Sequence, residues 1–166
     1  MLTQSLLKEV LHYDEATGVF TWRVGRGGVR AGSVAGSLHW SGYVLISIYG
    51  RQYAAHRLAW LYAHGELPPD HLDHINHNKS ENQLSNLRPA TRAQNQKNRL
   101  VNSNNTSGFR GVVWHKMSER WLARAMLNGK RPHLGLFHTA EAAADAYERF
   151  AREHHGEFYL PTGISK

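Results

Sequence analysis

Cysteine is absent from the 166 residues. That excludes disulfides and thiolate zinc sites, and it suits a reducing compartment without proving one. No stretch reaches the roughly 18 consecutive apolar residues of a membrane helix, so no span is expected. The opening MLTQSLLKEVLHYDEATG has neither a basic leader nor a small-residue cleavage site. It does not read as a signal peptide, and the expected location is the cytoplasm of the cell that makes the chain. Acidic residues are scarce where basic ones gather. Between positions 88 and 131, ten Lys/Arg face one acid, Glu119, a local excess of nine against +7 for the whole chain. The basic excess therefore lies in one middle segment, and the remainder is slightly acidic. Such a segment points to an anionic partner, most often nucleic acid; a merely solvated cationic surface is the plain alternative.

Hydrophobic residues make up 41% and charged residues 20%, a globular rather than disordered balance. The length suits one ordinary domain or two small ones. Thr3 can cap a first helix with Leu6, Leu7, Val10 and Leu11 at helical spacing. Turn residues at 14–18 lead to a strand at 19–23, then to a glycine-rich loop at 25–36. There Arg23, Arg26 and Arg30 are available to phosphates or to water. Residues 43–49 and 51–54 read as a hairpin joined at Gly50. A helix at 56–64 comes next, ended by Gly65 and kept from resuming by Pro68-Pro69. Thr91 and Gln94 fit a capping box for a short helix at 92–99. The polar NSNNTS stretch is the best boundary in the chain. Beyond it, strands at 111–115, 121–127 and 133–137, with Asn128-Gly129 as a hairpin turn, precede a Thr139-capped helix. That helix runs to about His155 on an apolar stripe of Ala143, Tyr147, Phe150 and Ala151.

The chemistry concentrates in the polar stretch 70–105. Asp73 offers a hard oxygen suited to Mg²⁺ or Mn²⁺, and the adjacent His74 a base that titrates near neutrality. Asn95, one turn into the capped helix, offers a second oxygen. Two strands and a helix can hold one cation between Asp73 and Asn95, leaving room for water and phosphate oxygens. Spacing alone also accommodates a plain reading, with Asp73 and Asn76 as turn residues and His74 as an ordinary loop histidine. His56 opens an apolar helix and suits a packing role. His71 and His77 receive no role, and a zinc site of His71, Asp73 and His77 is disfavoured by its oxygen-rich donors.

The segment YAAHRLAWLYAHGELPPDHLDHINHNKSENQLSNLRPATRAQNQKNR resembles the HNH endonucleases of phage and intron origin. The likeness rests on HRLAW, DHINHNKSEN, SNLR and QNQKNR, and it extends over the stretch from Leu2 to the end of that segment. By position the resemblance makes Asp73 and Asn95 ligands of a single divalent cation, Mg²⁺ with Mn²⁺ the alternative. It makes His74 the general base toward water, and Asn86 the brace of the loop carrying His74. Asparagine rather than histidine at 95 resembles the single-metal, homing-type branch.

The segment SGFRGVVWHKMSERWLARAMLNGKRPHLGLFHTAEAAADAYERFAREHHGEF resembles the plant ethylene-response-factor (APETALA-type) DNA-binding domain through FRGV, W-x-A-R, LG-x-F and TAEAAADAYERFA. That resemblance implies a sheet in the major groove, with Arg110, Trp114, Arg124, Arg131 and His133 facing DNA. Val113 and His133 stand where the plant pattern has an arginine and a tryptophan, so base preference is expected to differ. The expected fold class is α+β: a ββα-metal nuclease module at 1–100, a linker at 101–107, and a three-stranded antiparallel sheet packed on one helix at 108–160. The expected function is cleavage of double-stranded DNA by a chain acting as a monomer. A non-catalytic DNA-binding regulator on a degenerate nuclease fold is the alternative, and an RNA-directed protein is disfavoured.

Overall fold

The computed structural model describes residues 2–25, 27–68, 70–98, 101 and 105–161. Arg26, Pro69, Arg99 and residues 102–104 of the expected linker lie outside the described residues. The fold mixes helices and strands, α+β, in two compact units, Met1–Arg92 and Ala93–Lys166. Among the described residues no helix is long and apolar enough to cross a membrane.

The first unit opens with α1 (Gln4–Val10), whose first turn is capped by Thr3 accepting from the Leu6 N–H at 3.3 Å. Leu11, placed on the helix by its spacing, instead starts β1 (Leu11–Asp14), antiparallel to β2 (Val19–Trp22). The Asp14 carboxylate accepts from Ala16 N–H and the Thr17 hydroxyl, and it closes that hairpin at Gly18. The glycine-rich stretch leads into a short strand not foreseen, β3 (Ser37–Leu38). It edges a sheet ordered β3-β4-β5, with β4 (Val44–Ile48) and β5 (Arg51–Ala54). Tyr49 and Gly50 both carry positive φ, 49° and 76°, which a two-residue hairpin turn requires. β5 runs straight into α2 (Ala55–His64), which Gly65 ends in the left-handed conformation. Leu7, Leu11, Phe20, Ile46, Ile48 and Leu58 are almost completely buried and form the centre of the core. Finally β6 (His71–His74) pairs antiparallel with β7 (Leu87–Ala90), leaving a polar loop at 75–86 closed by a 3₁₀ turn, Leu84–Asn86.

The second unit begins earlier than the 101–107 linker read from composition. Helix α3 (Arg92–Lys97) is tied to it: Arg110 donates to the Lys97 carbonyl, and Lys97 Nζ donates to the His154 carbonyl at 3.2 Å. Residues 105–107 also belong to it. Asn105 and Ser107 hydrogen-bond each other, and the Phe109 and Val112 carbonyls also lie within hydrogen-bond distance of Ser107 Oγ. Next in the chain is an antiparallel sheet ordered β10-β9-β8, from β8 (Val112–His115), β9 (Arg120–Arg124) and β10 (His133–Phe137). The Asn128-Gly129 turn is present, with φ of 50° and 77°, but β9 ends at Arg124 and only a Leu127–Lys130 bridge flanks the turn. Helix α4 (Ala140–His154), capped by Thr139, buries Ala143, Ala144, Ala146, Tyr147 and Ala151.

Candidate active site

The β6–β7 hairpin sets Asp73 opposite Arg88 and His74 opposite Leu87. Asp73, His74 and Asn86 are all buried, as is Asn82 of the same loop. Both Nε and Nη2 of Arg88 donate to Asp73 Oδ2, at 3.0 and 2.8 Å. With side chains 12% and 8% exposed, this is a buried ion pair, and removing either partner would leave a desolvated charge.

His74 sits edge-on to His56, with ring centroids 5.1 Å apart, and 6.0 Å from Tyr43, which in turn lies 5.1 Å from His56. Burial holds the His74 pKa below its ordinary 6.5 against the raising pull of the Asn82 side-chain hydrogen bond and of Asp73. The imidazole is therefore neutral at physiological pH and able to accept a proton.

The loop after His74 contains little that could pack, so side-chain hydrogen bonds order it. Asn86 reaches across it: Oδ1 accepts from Asn76 N–H at 3.0 Å, and Nδ2 donates to the Glu81 carbonyl at 2.9 Å. Its own carbonyl accepts from Ile75 N–H at 2.9 Å. Glu81 takes one hydrogen bond from Asn76 and one from Asn78, 2.6 and 2.7 Å. The Tyr13 hydroxyl donates to the Asn82 carbonyl at 2.7 Å, so the β1–β2 hairpin buttresses the same loop.

Asn95 stands on α3, half-buried, in the second unit. Among the residues expected to face DNA, Arg124 and His133 are paired across β9 and β10 and both are exposed. Arg131 is exposed, and with Arg110 and Arg124 it lines a concavity of about 410 Å³. Arg110 turns its guanidinium inward to the Lys97 carbonyl and toward Tyr147. Trp114 pairs with Trp121, which packs on the helix-covered side, and the two rings meet edge-on at 5.1 Å. Strand alternation therefore puts Trp114, still 46% exposed, on the face opposite Arg124.

Residues 53–97 match the model of an HNH endonuclease family, a span that holds Asp73, His74, Asn86 and Asn95. The uncharacterized HNH endonuclease L560 of Acanthamoeba polyphaga mimivirus is 36% identical over 126 residues, covering 75% of this chain and 64% of that protein. Protein 3.8 of Escherichia phage T7 is 35% identical over 104 residues, covering 62% of this chain and 85% of that protein. Residues 53–97 of the chain carry an HNH endonuclease domain. No solved structure matches it.

In this HNH protein, sequence reasoning passed over Arg88, Tyr43, Asn82 and Lys79 as site residues. Arg88 counted only as charge. Its place opposite Asp73 across a hairpin was a signal, but one that needs the register to be read. His56 has the packing role its apolar helix suggested, against the rings of Tyr43 and His74. Burial pushes its pKa down to about 3, with His74 and Arg57 adding to the shift. Burial likewise lowers His155 in the second unit to about 4, followed by Lys97, Arg110 and His154.

Such groups make stability pH-dependent with a definite sign. Below an ordinary pKa of 6.5 the unfolded chain takes up protons that folded His56 and His155 refuse. Stability is full above that pH and falls as pH drops toward 4 and 3, by up to roughly 1.4 kcal/mol per pH unit for each histidine. Denaturant melts between about pH 7 and pH 5 should show this slope, and His56→Gln should flatten it for the first unit. A pH-independent midpoint would contradict the buried neutral state.

Proposed function

We propose that the chain hydrolyses phosphodiester bonds in double-stranded DNA, with His74 as the general base. The observation that carries this reading is a buried imidazole next to a buried carboxylate, on a loop stapled by Asn86. In that role His74 accepts the proton of the attacking water. Asn86 keeps the loop in place through its bonds to Asn76 and Glu81, so that the imidazole does not swing on reaction. Arg88 orients the Asp73 carboxylate by donating to Oδ2 from both Nε and Nη2.

Asp73 and Asn95 are the proposed holders of one divalent cation. Their donor set, a carboxylate and an amide oxygen, fits Mg²⁺, which takes few protein ligands and retains water and phosphate oxygens. Among the described residues there is no cluster of three His or acidic groups of the kind a closed zinc site would need. When bound, the cation would stabilise charge on the phosphate and the leaving oxygen. The exposed Arg124, Arg131 and His133 of the second unit are the proposed contacts to DNA phosphates and base edges, in the manner of an ethylene-response-factor-like module. Trp114, on the other face of the sheet, and Arg110, turned inward to the Lys97 carbonyl, stand apart from that contact set. One centre per chain predicts a nick from a monomer.

A second reading, a DNA-binding protein without catalysis, is favoured by one observation: Arg88 already occupies an oxygen of Asp73. Supercoiled plasmid separates the two. The nuclease reading expects open-circle product with Mg²⁺, none with EDTA, and recovery when Mg²⁺ is restored in excess. Binding with no nicking on any DNA, phage genomes included, supports the second reading and overturns the first.

A further inference from the structure

Trp40 is 91% exposed, by far the most exposed tryptophan of the first unit. Single exposed apolar side chains are common, and exposure alone means little. What distinguishes Trp40 is the backbone that carries it. His39 N–H donates to the Tyr43 carbonyl and Gly42 N–H to the His39 carbonyl, each at 2.8 Å. The His39 ring accepts from Ser41 N–H at 3.3 Å and lies 2.7 Å from the Ser41 hydroxyl. Lys79 Nζ donates to the Ser41 carbonyl at 3.1 Å. Gly42 carries φ of +88°, and a Cβ there would meet the Lys79 side chain at 3.5 Å. The indole is thus presented by a pinned turn, 5.1 Å from the His39 ring, rather than trailing on a mobile loop.

The turn also has a location. The Lys79 ammonium that anchors it lies over the Tyr43 ring at 4.9 Å, and that ring is 6.0 Å from His74. One layer of side chains separates the exposed indole's turn from the proposed base. A fixed aromatic face beside a lysine, at the edge of a site for phosphodiester cleavage, matches a polymer that alternates flat bases with phosphates. On a duplex, an aromatic face can pack on sugar and base edges whatever the sequence, and a pre-ordered side chain loses little entropy on binding.

We propose that Trp40 is a DNA-contacting residue that lays its indole on a nucleotide beside the scissile phosphate, with Lys79 near the adjoining phosphate. This rests on the nuclease reading for the place of contact, but its readout does not need cleavage. Full-length protein carrying His74→Ala, so that DNA stays intact, is compared with the same protein also carrying Trp40→Ala or Trp40→Phe. Each is titrated with short duplex DNA. Trp40→Ala should weaken binding at least about fivefold, and Trp40→Phe should recover most of it. DNA should also quench tryptophan fluorescence more in the parent than in the Trp40→Phe protein. In the otherwise wild-type chain, Trp40→Ala should raise KM more than it lowers kcat.

Equal affinity and equal quenching across all three proteins would overturn the proposal. If wild type never nicks but Trp40→Ala still weakens binding, the nuclease reading fails and the DNA contact stands. If the wild type nicks and Trp40→Ala binds, quenches and nicks identically, the contact fails and the nuclease reading stands.

Discussion

His74→Ala is expected to slow nicking of supercoiled plasmid by about two to four orders of magnitude, the usual contribution of a positioned general base. Alanine leaves nothing to accept the proton of the attacking water. The neighbouring histidine is a poor substitute, because His56 is buried on α2 with its ring against Tyr43. The substitution also opens space beside the His56 and Tyr43 rings, so a denaturant melt should accompany the assay; a moderate loss of stability leaves the protein folded at assay temperature.

The same imidazole sets a pH profile. The base must be neutral to act, and its pKa is held below 6.5 by burial. The rate should therefore persist below pH 6.5 and fall only on further acidification, whereas a solvent-exposed histidine would already be losing activity there. Nicking by His74→Ala at the wild-type rate would remove this imidazole from the reaction.

Gly18→Ala should be the most damaging small substitution in the first unit. Gly18 has φ of +73°, and an added Cβ would lie 2.4 Å from the Gln83 nitrogen and 2.6 Å from the Asn82 carbonyl carbon. Both are backbone atoms, so no side chain can swing away to make room. The left-handed conformation adds about 1 kcal/mol for any non-glycine residue. A total loss of roughly 2–4 kcal/mol is expected, the range of overpacking added to backbone strain.

The loss should reach activity as well, because the displaced backbone carries Asn82. That residue accepts from Tyr13 through its carbonyl, and its side chain hydrogen-bonds to His74. Gly50→Ala is the matched comparison. Its φ is +76° but nothing lies within 4 Å of an added Cβ, so only the conformational cost of about 1 kcal/mol applies. Equal denaturation midpoints for the two variants would refute the close packing of the β1–β2 turn on the active-site loop.

Much of this architecture was legible before any coordinates. The helices at 55–64 and 140–154 follow from apolar spacing with Gly65 and Thr139 at their ends, and the β4–β5 turn follows from Gly50. The short elements were harder. β1 and β3 carry no alternation long enough to separate them from the helix before one and the glycine-rich loop before the other. The sequence pattern extends β9 to 127, past its end at Arg124, because Asn128-Gly129 marks a turn without marking how far pairing extends from it. The unit boundary moved for a related reason. Polar composition at 101–107 resembles a linker, but Arg110 and Lys97 bind α3 to the second unit.

The sequence by itself determined the chemistry available: Asp73, His74 and Asn86 in one polar stretch, a cationic segment beyond it, and no thiol anywhere. It also determined the HNH endonuclease domain, since 53–97 matches that family's model. Only the tertiary structure decided that His74 is buried and its pKa lowered, that Arg88 holds Asp73, that Arg110 faces inward, and that Trp40 alone of its unit's tryptophans stands almost wholly in water. Burial and strand register are properties of residues far apart in the chain. A pKa depends on what surrounds the group, and a strand pair on an alignment, and neither is written in any local run of residues.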